Sequence, residues 1–102
     1  MKPESALVGA SDEIDYSPLT CQLDYEVELV AVVGRPLLDE PHASHCLLGY
    51  TIGNDISARD AGKQIGRLDL LTQKAMDRTT PVGPWIGTAD ELGIAGQPAL
   101  EM

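Results

Sequence analysis

The sequence predicts a mainly β domain with short helices, an α+β arrangement, extending as one domain over residues 1–102. Three observations carry that expectation. Leu23, Tyr25, Val27 and Leu29 alternate with Asp24, Glu26 and Glu28 before a continuous apolar run to Val33, the period-two pattern of a strand. Leu48-Gly49-Tyr50-Thr51-Ile52-Gly53 reads as a second strand, and Pro81-Val82-Gly83-Pro84-Trp85-Ile86-Gly87 as a rigid turn feeding a third.

In chain order, the opening to about Thr20 mixes Gly9, Ser11, Asp12, Ser17 and Pro18 with few periodic apolar positions, which predicts loop with one short strand. The strand that follows is closed by Gly34-Arg35-Pro36. Asp39-Glu40-Pro41 has the form of a helix start, so residues 42–48 are expected to form a short helix capped by Gly49. After the second strand, residues 54–60 are polar turn formers with two embedded apolar residues. Between Gly62 and Arg78 the pattern is weak and fits a loop or a short helix, and Thr88-Ala89-Asp90-Glu91-Leu92 resembles a capping box opening one helical turn. Residues 93–102 carry no strong stop signal.

Composition narrows function by exclusion. Seven Lys and Arg against sixteen Asp and Glu leave a net charge of -9, a surface that repels nucleic acid and anionic membrane. The longest apolar run, Leu29 to Val33, is far short of the ~20 residues that cross a bilayer, and Met1-Lys2-Pro3-Glu4-Ser5 leads into no secretory signal. A cytoplasmic location is the expectation. With no Phe and one Trp, the core must rely on Leu, Val and Ile and is expected to be thin. Cys21 and Cys46 lack a metal or disulfide spacing and read as reduced and structural. His42 and His45, three apart with Cys46 adjacent, have no matching second ligand pair for zinc and read as ordinary surface histidines. Ser57 lacks a Gly-x-Ser-x-Gly context, and Trp85 reads as a packing residue.

The chemistry concentrates on carboxylates. Glu26 and Glu28, two apart on a strand, project from one face together with Val30 and Val32, while Tyr25, Val27 and Leu29 cover the other. A solvated face is the ordinary reading of two such glutamates, but this strand runs directly into apolar residues on the same face. Two like charges ~4 Å apart repel by about 4 kcal/mol at an effective dielectric near 20, so the pair calls for a cation or a proton. Asp55, in a Gly-Asn-Asp turn, offers a third carboxylate. Three oxygen donors without imidazole or thiolate suit Mg²⁺ or Mn²⁺ rather than zinc.

The segments Leu23-Asp24-Tyr25-Glu26-Val27-Glu28-Leu29, residues 49–60 from Gly49-Tyr50-Thr51 to Ser57-Ala58-Arg59-Asp60, and Pro81-Val82-Gly83-Pro84-Trp85-Ile86, with Lys2-Pro3 in front, resemble the fumarylacetoacetate hydrolase family in order and spacing. The resemblance implies part of that family's mixed β-roll catalytic domain, with a divalent metal held by Glu26, Glu28 and Asp55. It implies a substrate-polarising role for Lys74, substrate binding by Arg59, and supporting or turn roles for Asn54, Ser57 and Asp60. Implied substrates are small 2-oxo and β-dicarbonyl acids such as acylpyruvates, cleaved at a carbon–carbon bond by a hydrolase, with decarboxylases and isomerases as related members.

The sequence also departs from the family pattern. Ala61-Gly62 stands where a glutamine is common, and Gln73-Lys74-Ala75 where Gly-Lys-Ser is favoured. The family's upstream histidine-bearing and downstream Gly-Thr-Pro segments are not in these residues, so no general base is assigned. A truncated copy is therefore expected, whose exposed strand edges invite homodimerisation or other association. A noncatalytic metal-binding remnant or subunit-pairing fragment is the alternative to an active enzyme.

Overall fold

The computed structural model describes residues 1–15, 20–38, 42–62 and 69–92. Six strands and one short helix follow in the order β1 (Leu7–Gly9), β2 (Leu23–Asp24), β3 (Val27–Val33), β4 (Leu47–Asn54), β5 (Ser57–Ala58), α1 (Leu70–Lys74) and β6 (Thr80–Thr88), with 3₁₀ turns at Glu4–Ala6 and Ala43–Cys46. One sheet has the order β1-β6-β4-β3, and β2 and β5 form a separate two-stranded ladder. The mainly β expectation with short helices therefore holds. No helix among the described residues is long and apolar enough to cross a membrane.

The described residues fall into two compact units, one within Met1–Glu28 and Ile52–Pro84, the other within Leu29–Thr51 and Trp85–Met102. The first contains the candidate site. Here β1 pairs parallel to the start of β6, Leu7 opposite Thr80, and β2 pairs antiparallel to β5, Leu23 opposite Ala58. The buried apolar residues of this unit are Ala6, Val8, Ile56 and Ala58, joined by buried Ser57, Gln73 and Thr79. α1 has only five residues and is held by its ends: Asp69 Oδ1 accepts from the Leu71 and Thr72 amides at 3.1 and 3.2 Å. Such a cap is worth about 1 kcal/mol.

In the second unit Cys46 is buried and its thiol meets the Pro36 carbonyl at 3.3 Å, as expected of a structural thiol. Buried Thr51 donates to the Trp85 carbonyl at 2.7 Å. Gly49 lies so close to Gly87 that a Cβ there would collide with the Gly87 carbonyl.

Several expectations are corrected. The strand from residue 23 onward is two strands, because Tyr25 and Glu26 leave the ladder between β2 and β3. The predicted helix over residues 42–48 is a 3₁₀ turn of four residues, and Leu47 already begins β4, so Gly49 sits inside a strand rather than capping a helix. Its cap residues, Asp39 to Pro41, lie outside the described residues. Residues 81–87 are continuous strand rather than a turn before one. Thr88 to Leu92 closes a single turn, Leu92 N–H to Thr88 C=O at 3.1 Å, without becoming a helix. Trp85 is 76% exposed, not packed, and no leucine is buried among the described residues. The core is thin, as expected, but alanine, valine, isoleucine and cysteine make it.

Candidate metal centre

Backbone bonding explains why the acidic segments meet. Where β2 gives way to β3, the Glu26 amide donates to Asn54 Oδ1 at 3.0 Å, and the Asp55 amide donates to the Glu26 carbonyl at 2.8 Å. This reciprocal latch, one bond to the Asn54 side chain and one between main chains, sets Asp55 beside Glu26 without using either carboxylate. Ser57 Oγ donates back to the Asp55 carbonyl at 3.0 Å and tightens the bend. Asn54 and Ser57 thus shape the turn that presents Asp55.

Glu26, Glu28 and Asp55 each bring one carboxylate oxygen into a group within 4.8 Å of one another. Glu28 is exposed; Glu26 and Asp55 are half-buried. Val30 and Val32, on the glutamate face, are less exposed than Val27, Leu29 and Val33 on the other, in line with the alternation in the sequence.

Three cations surround the acids. Lys74 Nζ donates to Glu26 Oε2 at 2.5 Å and Asp55 Oδ2 at 2.8 Å. Arg59 reaches Asp24 Oδ2 at 2.8 Å through Nε and Glu26 Oε1 at 2.6 Å through its terminal nitrogen. Lys2 Nζ lies 2.8 Å from Asp55 Oδ1. Asp60 is directed elsewhere: it accepts from the Thr20 hydroxyl and from the Cys21 amide at 3.0 Å. It therefore fastens the start of β2 rather than facing the acids. Its neighbour's amide, Arg59 N–H, donates to the Gln22 carbonyl at 2.8 Å and completes that clamp.

Charges shift accordingly. Lys74 and then Arg59 hold the Glu26 carboxyl below the usual range against a smaller desolvation cost between them in size. Burial pushes Asp55 up, and Lys2 and Lys74 together outweigh it, so its carboxyl too is lowered. Asp55 and Glu26 raise Lys74, and Thr20 with Cys21 holds Asp60 well below the carboxylate range. Groups lowered on folding stabilise above their unfolded pKa near 4 and lose that contribution as pH falls through the folded value. A raised lysine stabilises below about 10.5 and loses its share above. The urea midpoint is thus expected to stay level from pH 5 to 9 and to drop below pH 4. A midpoint that instead rises on acidification would mean that relief of the net charge, not these pairs, governs stability.

The donor set fits a hard divalent cation: three carboxylates, no imidazole and no thiolate. Asp55 Oδ1 is buried and already has a charged partner in Lys2 Nζ at 2.8 Å, so the fit to a dication rests on the three converging carboxylates. His42 and His45 pack edge to face with ring centres 5.2 Å apart, and neither belongs to an acidic or thiolate cluster among the described residues.

Reading the sequence missed Lys2 as a member of the site, although Lys2-Pro3 stood out as a motif. It also missed Asp24, the second anchor of Arg59, and Gln73, whose buried amide donates to the Ala61 carbonyl at 2.9 Å and orients the helix carrying Lys74. Alternation marked Asp24 only as a polar position, and nothing local marks Gln73.

Comparison with known proteins follows the same lines. The family described as fumarylacetoacetate (FAA) hydrolase C-terminal matches residues 1–102. A 2,4-didehydro-3-deoxy-L-rhamnonate hydrolase from Sphingomonas is 38% identical over 95 residues, 91% of this chain and 33% of that protein. The crystal structure of a 2-hydroxyhepta-2,4-diene-1,7-dioate isomerase from Mycobacterium marinum superposes with a TM-score of 0.76 at 43% identity, covering 85% of this chain and 34% of that one. A fumarylpyruvate hydrolase from Pseudomonas aeruginosa, solved in complex with Mn²⁺ and pyruvate, superposes at 0.73 with 34% identity over 90% of this chain and 42% of that one. The chain spans about a third of the length of the curated relatives it matches. With a family match along its whole length and the same fold in solved relatives, the chain belongs to the fumarylacetoacetate hydrolase family.

Proposed function

We propose that this chain forms the carboxylate-bearing part of an enzyme that depends on Mg²⁺ or Mn²⁺ and hydrolyses a carbon–carbon bond in a small 2-oxo or β-diketo acid of the acylpyruvate kind. The convergence of Glu26, Glu28 and Asp55 within 4.8 Å carries this reading. Four carboxylates, Asp24 included, against Lys2, Arg59 and Lys74 leave a local charge of -1, which a dication turns to +1. An otherwise acidic chain thereby gains one place that attracts a carboxylate anion.

A bound Mg²⁺ or Mn²⁺ supplies Lewis-acid polarisation of a carbonyl oxygen. Glu26, Glu28 and Asp55 would hold it. Lys74 has three N–H donors and uses two on Glu26 and Asp55, which leaves one for a substrate oxygen. Arg59 likewise keeps part of its donor fork for a carboxylate while its other nitrogens hold Asp24 and Glu26 in place. The exposed edge of β3 suits pairing with a second copy of the chain. An isomerase is the second reading, favoured by the 43% identity to the M. marinum enzyme.

Saturating Mn²⁺ is expected to raise the melting temperature by roughly 10–20 °C, from ~2.7 kcal/mol of linkage at a hundred times Kd. Asp55→Asn should remove that rise, and a wild-type melting curve indifferent to Mg²⁺ and Mn²⁺ would sink the metal reading. Incubation with an acylpyruvate then separates the chemistries: a hydrolase releases two acids, whereas an isomerase alters the ultraviolet spectrum and releases none.

A further inference from the structure

We propose that Lys2 is a positioning residue of the metal centre: its ammonium pins one oxygen of Asp55 and leaves the other to face Glu26 and the cation. The inference rests on the metal reading above. Lys2 Nζ lies 2.8 Å from Asp55 Oδ1, and the two side chains are only 12% and 17% exposed. The same ammonium donates to the Ile56 carbonyl at 3.1 Å. Lys2 therefore bridges the side chain of Asp55 and the backbone of the next residue, which fixes the carboxylate relative to its own main chain. Asp55 Oδ1 is buried and accepts no aligned hydrogen bond among the described residues, so the ammonium is what compensates its charge. The opposite oxygen, Oδ2, shares Lys74 with Glu26 Oε2 and so lies on the Glu26 side.

The segment carrying Lys2 is itself braced. The Pro3 carbonyl accepts from the Ala6 amide at 3.1 Å, and Ala6 is fully buried. The Arg78 amide donates to the Ser5 carbonyl at 3.0 Å, and Ser5 Oγ donates to Asp77 Oδ1 at 2.6 Å. Those partners sit just beyond α1, so one brace places both lysines on Asp55, one per oxygen.

A role in charge alone predicts the opposite sign. A cation beside the ligands repels a dication, and its removal by itself should tighten metal binding. Loss of positioning should weaken it. Wild type, Lys2→Met, Lys2→Gln and Lys2→Arg would be titrated with Mn²⁺ and followed by electron paramagnetic resonance of free and bound ion. The two neutral variants are expected to raise the Mn²⁺ Kd about 10-fold or more and to change the bound-ion spectrum, as loss of a group that orients a ligand does elsewhere. Lys2→Arg should recover most of the affinity and the wild-type spectrum. Equal or tighter binding by the neutral variants with an unaltered spectrum overturns the inference and leaves the metal reading standing. Wild type that takes up no Mn²⁺ overturns both. Far-ultraviolet circular dichroism showing both neutral variants unfolded would assign Lys2 to the scaffold and also overturn it.

Discussion

Glu26→Gln is expected to raise the Mn²⁺ Kd about 100-fold or more while leaving the chain folded, the larger of the effects foreseen at the site. Loss of a group that merely orients a ligand costs 10–100-fold, and in the proposed site Glu26 is one of the three carboxylates that would hold the ion. It is also where the local electrostatics meet: Arg59 binds one of its oxygens and Lys74 the other. Glutamine keeps an acceptor for one of these cations, and the Glu26 backbone bonds to Asn54 and Asp55 are indifferent to the side chain. Folding and metal affinity are thus separated by this one substitution. Titration calorimetry with Mn²⁺ measures the affinity, and a value close to wild type would remove Glu26 from the ligand set.

Gly49→Ala is expected to destabilise the fold by about 3 kcal/mol or more, at or beyond the upper range for overpacking a well-filled site. The added methyl would run into the Gly87 carbonyl on β6, with Thr88 Cα close behind. Both obstacles are main chain, so no side-chain rotation relieves the clash. Against a total stability of 5–15 kcal/mol that is a large fraction, and for a chain this size it means a fall of more than 10 °C in melting temperature. Unfolding in urea measures it directly. An alanine variant with wild-type stability would mean that β4 and β6 can part at this point without cost.

How much could be read beforehand differs between the site and the fold. Period-two alternation put Glu26 and Glu28 on one face, and a turn-forming Gly-Asn-Asp put Asp55 where a chain bends, so the acidic group was accessible from local rules. The break between β2 and β3 was not, because there the Tyr25 amide turns to Asp24 Oδ1 and the Glu26 main chain bonds to Asn54 and Asp55, far along the chain. The region before β4 misled for a related reason. An apparent cap and a glycine at the right distance suggested a helix, but Leu47 and Leu48 already belong to a strand held between β3, the preceding strand, and β6, far along the chain. Lys2 and Gln73 were invisible as site residues because their partners, Asp55 and Ala61, are met only in the folded molecule.

The reciprocal bonds between residue 26 and residues 54–55 have an evolutionary corollary. The chain leaves the acidic group just after Glu28 and returns to it at Ile52, and the bonds that hold Asp55 beside Glu26 lie at the root of that excursion, not along it. Insertions or deletions in the connection between β3 and β4, residues 34–46, can therefore accumulate across descendants while the placement of Asp55 beside Glu26 is inherited unchanged.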